Sequence, residues 1–467
     1  MNKKYLLIVL ILLSFLTIQY AEESDIEIGG FLKLDYRFMI DTAKKDIPFY
    51  DVFSNFHLKM HKDISENIAI EASGDFRIYG GTGILNTSDM SDPGKQYLID
   101  PMLWEVYVDI YDLGFEGMDL RLGKQRLAWG KADKLNPTAN LNPDDFSDIF
   151  NFGEQIPSFA AKLEYEANDK FAFELIWLPL MKHALMPRDD SIQLDTEVNQ
   201  VMAPFQGQLA LLPPGMTMTA PNVIITPTAY DLKHSMQAIK IKGTLSKIDY
   251  SISYLHGFDD IPVLNKIDIL PNASMTSIDT EINMGFYEYH VAGMDLAGEF
   301  SGIGWWAEGA MFFPVNEINA VVSLPDLSTG QMFSQETEVF GKTPYFKSTL
   351  GLDYTFSWSM YVNFQYVHGM PMERGRKENI NDYIIGRVEQ KFLHDKFKII
   401  LNGALGIIDA KDFKNNYGYL INPELKWLPY SSIEFTLGAY IISGEGQNFL
   451  TALKSHDMIY MQARVDF

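Results

Sequence analysis

Apolar and polar residues alternate one by one along most of the chain after residue 25, and this feature restricts the possible folds more than any other. Between Ile26 and Ile40 most apolar residues occupy even positions, whereas odd positions hold charged residues such as Lys33, Asp35 and Arg37. Successive side chains of a β-strand point to opposite faces, so this segment has one apolar and one charged face. A helix would mix both kinds of residue on one side. The pattern therefore predicts a strand.

Eighteen segments with this alternation are predicted as strands. They cover residues 26–40, 50–62, 67–79, 102–113, 117–129, 158–167, 170–179, 235–245, 249–259, 284–300, 303–313, 346–357, 360–370, 381–393, 396–409, 417–428, 432–443 and 457–467. Every second connection is short, whereas the longest of the others are 80–101, 130–157, 180–234, 260–283 and 314–345. Short turns at one rim and long loops at the other are typical of outer-membrane barrels, whose tilted strands need about 9–11 residues to cross the hydrocarbon. The sequence predicts an all-β fold, a transmembrane antiparallel up-and-down β-barrel of about 18 strands, rather than a soluble secreted β-protein.

The first 21 residues have the features of a secretory signal peptide. Lys3 and Lys4 precede an apolar stretch of 14 residues, 5–18, which is too short to span a membrane. We predict cleavage after Ala21 and export of the chain. The mature part, residues 22–467, is predicted to form a single barrel domain in the outer membrane of a diderm, Gram-negative bacterium.

The C-terminal strand resembles the signal by which the barrel-assembly machinery recognises its substrates. Apolar and polar residues alternate from Ile459 onwards, Tyr460 belongs to this segment, and the chain ends on Phe467. We predict Tyr460 and Phe467 as the membrane-assembly signal and the assembly machinery as a partner. A terminal aromatic residue is also typical of the interfacial girdle of a barrel, and the two roles are compatible.

Charge and motif content argue against several classes of protein. The formal net charge is −23, which opposes binding to nucleic acid. The chain has no cysteine, which excludes disulfides and thiolate metal sites. It also lacks a phosphate-binding glycine loop, a G-x-S-x-G motif and an H-E-x-x-H motif. We therefore predict no enzyme activity and no cofactor.

No metal site is predicted either. His57 and His61 are four residues apart, which on a strand is about 13 Å and too far to share one ion. Asp144, Asp145 and Asp148 could hold calcium together with loop carbonyls. The alternative for these three residues is an acidic loop in contact with solvent.

If the apolar face contacts lipid, the charged face lines the lumen. So many charges cannot lie in a dry core without a large desolvation cost, and eighteen strands enclose enough space for an aqueous channel. The candidate pore-lining residues are Lys33, Asp35, Arg37, Lys59, Arg77, Asp75, Glu105, Asp109, Arg121, Lys124 and Arg126. They could form ion pairs between the strands of a general pore. Alternatively, the basic residues of the first five strands could create a transverse field along a solute-specific track.

Lys124 and Arg126 require a separate explanation, because strict alternation places both on the lipid side together with Leu122. A bulge at Gly123 would turn both side chains inward and would point Leu127 outward. Alternatively, the two residues lie at the level of the outer headgroups, where a charge costs little.

The loop 180–234 has 55 residues, far above usual loop lengths, and it contains many apolar residues. The candidates for a constriction or lid are Phe205, Leu209, Leu211, Leu212 and Met216. The loop could fold into the lumen as a constriction or plug, or it could cover the mouth of the barrel. It could also pack on loop 130–157 as a structural cap.

One stretch resembles a known group of proteins. Residues 121–133 read RLGKQRLAWGKAD, and Asn136-Pro137 and Leu141-Asn-Pro-Asp144 follow. A strand ending in R-x-G-[KR]-Q and W-G that leads into a loop rich in Asn-Pro is similar to porin-like outer-membrane proteins of poorly assigned function, near the alginate-export porins. The match covers roughly residues 119–150. The resemblance implies an eighteen-stranded, typically monomeric barrel for diffusion or export of a solute.

Together these observations favour an outer-membrane porin or channel for passive passage of small hydrophilic or charged solutes, an oligosaccharide included. The alternative is a plugged or gated barrel that exports or imports a larger, polysaccharide-like or amphiphilic substrate. A third hypothesis is an enzyme or an adhesive surface protein on the same scaffold. Lipid and glycolipid of the outer membrane are expected to surround the chain.

Overall fold

Eighteen strands pair in chain order and close into one antiparallel barrel, as the alternation predicts. A computed structural model describes residues 26–40, 49–80, 90, 98–168, 170–187, 217–219, 221–271, 277–325, 332–375 and 380–467. The barrel strands are β1 (Glu27–Met39), β2 (Phe49–Ser65), β3 (Ile68–Tyr79), β4 (Leu98–Ile110), β5 (Met118–Gln125), β6 (Ser158–Asn168), β7 (Phe171–Leu178), β10 (Met236–Leu245), β11 (Ile248–Phe258), β14 (Glu288–Phe300), β15 (Ile303–Pro314), β18 (Tyr345–Thr355), β19 (Met360–His368), β20 (Asp382–Phe392), β21 (Phe397–Ile407), β22 (Tyr417–Tyr430), β23 (Ile433–Glu445) and β24 (Met458–Asp466). Strand β1 pairs with both β2 and β24, which closes the sheet.

Strand β7 shows how the period of two divides the two faces of the wall. Its exposure alternates along the whole strand, with Phe173 and Trp177 exposed and Glu174 and Ile176 buried. Because a single-layer barrel buries only its inner face, the exposed apolar residues form the outer surface. The predicted orientation, apolar outside and charged inside, is confirmed.

Short turns connect the strands at one rim. In the turn between β10 and β11, Ser246 and Lys247 both have positive φ, at 49° and 72°. Two consecutive residues of positive φ define the tight hairpin turn whose twist matches that of the flanking strands. Long loops leave the opposite rim, and both termini of the barrel lie at the rim of short turns.

A second sheet of six strands is built from the long loops, and the sequence analysis did not predict it. Its strands are β8 (Thr217–Met218), β9 (Asn222–Ile225), β12 (Val263–Pro271), β13 (Ser277–Gly285), β16 (Ile318–Pro325) and β17 (Met332–Phe340). Loops 260–283 and 314–345 therefore contain strands, and residues 284 and 285 belong to β13 instead of the barrel strand predicted from 284.

Helix is scarce in the described ranges. A short helix α1 (Phe449–Ala452) begins at Asn448, whose side chain accepts from Thr451 N in a capping box. No helix within the described residues combines the length and apolar character needed to cross a bilayer. The predicted signal peptide, residues 1–21, lies outside the described residues.

Candidate functional site inside the barrel

Residues 126–157, which we call the crossing loop, leave the top of β5 and extend through the interior of the barrel. The apolar residues of this loop pack into two separate buried clusters. Leu127, Trp129 and Leu141 pack with strands β7 to β18 and the second sheet, whereas Leu135 and Phe146 pack with strands β19 to β24 and α1. The loop therefore contacts opposite parts of the wall and divides the lumen.

Glu308 of β15 anchors the beginning of the crossing loop. Its carboxylate accepts hydrogen bonds from the backbone N–H groups of Lys131 (2.8 Å), Ala132 (3.0 Å) and Thr138 (2.9 Å), and from Thr138 Oγ1 (2.7 Å). Glu308 is buried, so its charge requires these four donors. A few residues away, Thr349 Oγ1 of β18 donates to Leu135 O at 2.8 Å.

Arg37 of β1 holds the loop from the opposite wall. Its Nη1 and Nη2 donate to the two carboxylate oxygens of Asp148 at 2.7 and 2.6 Å, and its other edge donates to Asp35. Such a bidentate arginine–carboxylate pair fixes both distance and orientation. Burial alone would raise the pKa of Asp148, but the Arg37 guanidinium more than offsets this and the pKa lies below its usual value.

A third anchor joins the crossing loop to the turn after β11. Asp144 N donates to Asp260 Oδ2 at 2.6 Å, and Phe146 N donates to Leu185 O at 2.8 Å. Burial and the neighbouring Asp259 carboxylate raise the pKa of Asp260 to about 6. Burial and the Asp260 carboxylate raise the pKa of Asp144 well above its usual value. This junction places two acidic groups of different loops side by side.

The stretch that resembles the porin-like group shapes this loop. Gly130 has a φ of +87°, and a Cβ at this position would lie 2.5 Å from Glu308 Oε2, so only glycine fits. Asn142 exchanges hydrogen bonds with the backbone of Leu127, accepting at 3.1 Å and donating at 2.8 Å. The Trp129 ring lies 4.0 Å from Lys240 Nζ. These residues have structural roles in positioning the loop.

Two cavities remain on the two sides of the crossing loop. The first cavity, about 510 Å³, lies between the loop and the upper ends of strands β7 to β18. The second cavity, about 410 Å³, lies between the loop and strands β19 to β24 and β1. The second cavity continues from Leu450 and Tyr440 near the loop rim to Lys426, which is close to the short turn after β22. It therefore extends along much of the barrel axis.

Most predicted pore-lining residues lie on the inner face and are paired there. Lys33 and Arg37 both contact Asp35, the former at 3.3 Å. The remaining basic residues of the first strands have acidic partners on the same inner face, namely Lys59 with Glu71 at 2.9 Å, Arg77 with Asp75 at 3.9 Å and Arg121 with Asp109 at 2.6 Å. The Lys59 and Arg121 pairs join neighbouring strands, whereas Lys33, Arg37 and Arg77 pair with an aspartate of their own strand. The pairs do not leave an uncompensated basic stripe.

Lys124 is not on the inner face, and Arg126 follows the end of β5 at the edge of the first cavity. Strands β4, β5 and β6 pair through Gly123 without a shift in register, and Lys124 lies opposite the exposed Phe159. The prediction of a bulge at Gly123 is wrong, and Leu127, which it would point outward, is buried. Lys124 donates to a backbone carbonyl of β4, and the Arg126 side chain is exposed.

Glu105 lies beside Arg126, because Glu105 Oε1 accepts from Arg126 N at 2.8 Å. A register shift in the β3–β4 pairing lies between residues 72 and 74 of β3, opposite this part of β4. The alternation predicted the faces of β4 but gave no signal for this shift. The pairing excludes the bulge, and a position of Lys124 and Arg126 near the outer headgroups stays a prediction.

The predicted constriction residues Phe205, Leu209, Leu211, Leu212 and Met216 lie outside the described residues. The crossing loop is a described segment that enters the lumen, whereas the sequence suggested loop 130–157 only as a surface on which loop 180–234 could pack. The sequence features that could have identified the crossing loop are the glycine after Trp129 and the apolar residues that follow it in the loop. Nothing in the sequence indicated that Glu308 anchors the crossing loop.

The two residues of the predicted assembly signal occupy different environments. Tyr460 is buried inside the barrel, where its hydroxyl donates to Glu424 Oε1 at 2.6 Å. Phe467 is exposed at the closing seam, where its backbone exchanges two hydrogen bonds of 3.0 Å with Gly30. Recognition by assembly machinery stays a prediction for both.

The three aspartates considered for calcium do not converge. Asp144 lies beside Asp260, Asp145 accepts from Ser147, and Asp148 binds Arg37. Asp145 is buried, whereas Asp144 lines the first cavity and Asp148 lines the second, so contact of this loop with solvent inside the lumen stays a prediction. Within the ranges given above, no group of three or more histidine or acidic side chains has the arrangement of a metal site.

Comparisons with known proteins give similar folds at low identity. No family model and no curated protein matches the chain. Among solved structures, OccK8 (OprE) of Pseudomonas aeruginosa is 10% identical over 95% of this chain and 98% of that chain, with a TM-score of 0.48. OccAB3 of Acinetobacter baumannii is 10% identical over 95% of this chain and 98% of that chain, with a TM-score of 0.48. OmpF of Salmonella typhi is 6% identical over 95% of this chain and 97% of that chain, with a TM-score of 0.39. Similarity at this level does not place the chain in the family of any of these proteins.

Proposed function

We propose that the chain is an outer-membrane channel through which small hydrophilic solutes pass by diffusion. The observation that carries this proposal is a closed barrel with an apolar outer surface and an inner face of paired charges around two cavities. An apolar exterior is stable in lipid and unstable in water, and a closed barrel leaves no unpaired strand edge in the membrane. The predicted signal peptide supports export, and outer-membrane lipid and glycolipid are the surroundings of the barrel.

The passage is the second cavity, and the crossing loop is its constriction. The loop has three anchors on different parts of the wall, which keep the passage narrow. We assign no catalytic step to the protein. A relation of residues 119–150 to the alginate-export porins remains a hypothesis that rests on the motif alone, and a monomer is the corresponding oligomeric state.

The alternative is a plugged barrel that opens for a larger substrate. It is favoured by one observation, the packing of the crossing loop into two apolar clusters on opposite sides of the lumen. Such a loop would have to leave at least one cluster before a large molecule could pass.

Single-channel conductance of the refolded residues 22–467 in a planar bilayer separates the two functions. Stable open steps without any trigger are expected for the diffusion channel. A correctly folded barrel that conducts no current would contradict the diffusion channel and would favour the plugged transporter. Folding is checked independently by the shift in electrophoretic mobility between heated and unheated samples.

A further inference from the structure

One side of the second cavity carries a row of polar side chains that crosses four neighbouring strands. Asn363, Arg387, Asn402 and Asn422 are direct register partners across strands β19, β20, β21 and β22. All four line the cavity. Because barrel strands tilt by about 35–45° from the barrel axis, the row runs obliquely around one side of the wall and faces the passage along its length.

The side chains of this row bond to one another. Arg387 Nη1 donates to Asn402 Oδ1 at 3.1 Å, and Asn402 Nδ2 donates to Asn422 Oδ1 at 2.9 Å. Gln365 lies two residues after Asn363 on β19, on the same face and nearer the rim of long loops, and it donates to Asn363 Oδ1 at 3.3 Å. Asn422 Nδ2 also donates to Ala439 O and to the Tyr460 hydroxyl, each at 2.9 Å. Asn363 Nδ2 donates to the Tyr361 hydroxyl at 3.2 Å. A primary amide has two donor hydrogens and an acceptor oxygen with two lone pairs, so Asn363 and Asn402 each retain one donor hydrogen and each amide oxygen of the row retains one lone pair.

Gln365 gives an independent indication of a ligand. Only 6% of its surface is exposed, yet its Oε1 accepts no hydrogen bond from the described residues. A buried acceptor without a donor is costly. Gln365 lines the cavity, so a rotation of its side chain would bring this oxygen to a solute hydroxyl, which would remove that cost. The missing group is a donor, and an anionic carboxylate or phosphate cannot supply one.

Most charges around the same cavity are compensated within the wall. Arg387 bonds Glu389 at 2.6 Å, Lys426 bonds Glu434 at 2.8 Å, and Lys33 and Arg37 share Asp35. Asp133, Lys134 and Glu424 also line the cavity and have no ion-pair partner among the described residues, so the lining and its ion-pair partners together carry only a small excess of negative charge. An anionic solute that leaves water needs an excess of positive charge, and this cavity does not provide one. Hydroxyl groups, which both donate and accept, match the open amide groups instead.

We propose that the amide row selects uncharged polyhydroxylated solutes, of the size of a mono- or disaccharide, and this inference rests on the proposed channel function. The crossing loop adds Phe150 and Phe152 to the lining of the cavity, and Tyr440 lines it from β23. These aromatic side chains suit the apolar CH groups of a sugar ring. The row thus acts as a specificity determinant, with Gln365 and Asn402 as the residues that contact the solute.

The first test compares three solutes of one size that differ in charge. Proteoliposomes with the refolded protein are diluted into isosmotic glucose, gluconate or glucosamine, and the rate of swelling is measured. Glucose is expected to enter faster than either charged derivative. Equal rates for all three, or a faster rate for gluconate, would overturn the proposal. Fastest entry of glucosamine would also overturn it, because the net charge of −23 alone would then determine selectivity.

The second test removes one amide. Gln365→Leu is expected to lower the rate of glucose entry, relative to KCl conductance, by about two- to tenfold, the loss of one hydrogen bond. Gln390→Leu is the matched control, because Gln390 bonds the Trp358 and Lys391 carbonyls near a short turn and does not line the cavity. Asn402→Leu provides a second variant if Gln365→Leu fails to fold.

The outcomes separate this inference from the proposed function. An unchanged ratio of glucose entry to conductance in both amide variants overturns the selectivity of the row while the channel stands. A wild-type protein that folds but conducts no current overturns the channel and this inference with it.

Discussion

At the scale of single residues, Gly130 and Glu308 determine where the crossing loop begins. Backbone conformations of positive φ cost an L residue about 1–2 kcal/mol, and Gly130 also lies against the Glu308 carboxylate. Gly114 offers a comparison within the same chain, because its φ is +82° and an added Cβ would have no atom within 4 Å. The difference in stability loss between alanine variants at the two positions therefore measures the effect of the contact with Glu308.

We expect Gly130→Ala to lower the free energy of unfolding by about 2–4 kcal/mol and Gly114→Ala by about 1–2 kcal/mol, since only the first adds a steric clash. Urea unfolding in lipid vesicles, followed by tryptophan fluorescence, measures both values. Equal losses for the two variants would mean that Glu308 moves aside without cost.

At the scale of elements, the crossing loop is held by contacts between residues that are far apart in sequence. Glu308→Gln keeps one oxygen but replaces the other with an NH₂ group, which cannot accept from the backbone N–H groups of the loop. We expect larger single-channel current noise and a higher mean conductance, because about two of the four hydrogen bonds are lost. Glu299→Gln is the control, since Glu299 only accepts from Gly302 N in a short turn. Noise unchanged from the wild type would show that the apolar clusters alone hold the loop.

The junction of the crossing loop with the turn after β11 is expected to depend on pH. The folded pKa of Asp260, about 6, lies above its unfolded value because of burial and Asp259, and the pKa of Asp144 is raised by burial and Asp260. The contribution of the junction to stability is therefore complete at low pH and is lost as the pH rises through about 6. Gln155, Lys347, Asp259 and Arg374 are the other polar and charged groups around this pair.

Current noise should accordingly be lower at pH 5 than at pH 7.5. Asp260→Asn removes one titrating group and is expected to reduce the difference strongly, whereas Asp409→Asn, in an exposed turn, leaves it unchanged. A difference of full size in the Asp260→Asn channel would assign the effect to groups elsewhere.

At the scale of the whole molecule, the sequence predicted all eighteen barrel strands, because the period of two and the parity of charged residues are local properties. It did not predict the second sheet, because the six strands come from three loops and the sheet depends on pairing between those loops. Nor did it predict which loop enters the lumen, because the anchor between Lys131 and Glu308 joins residues 177 positions apart. Alternation predicts the face of a charged residue, but its ion-pair partner depends on register.

The last prediction concerns the outer surface. A charged side chain on the lipid face destabilises a barrel most at the middle of the bilayer and least near the interfaces. Ile252 is 58% exposed at the middle of β11, and its register partners Ile241 and Met294 are exposed as well. Ile252→Lys is expected to lower the free energy of unfolding in vesicles by about 2–4 kcal/mol, whereas Leu393→Lys, in a short turn, should cost about 0–1 kcal/mol. Urea titration of both variants in the same vesicles gives the two values. Equal costs would mean that hydrocarbon does not surround the middle of β11, and the membrane orientation proposed for the barrel would have to be abandoned.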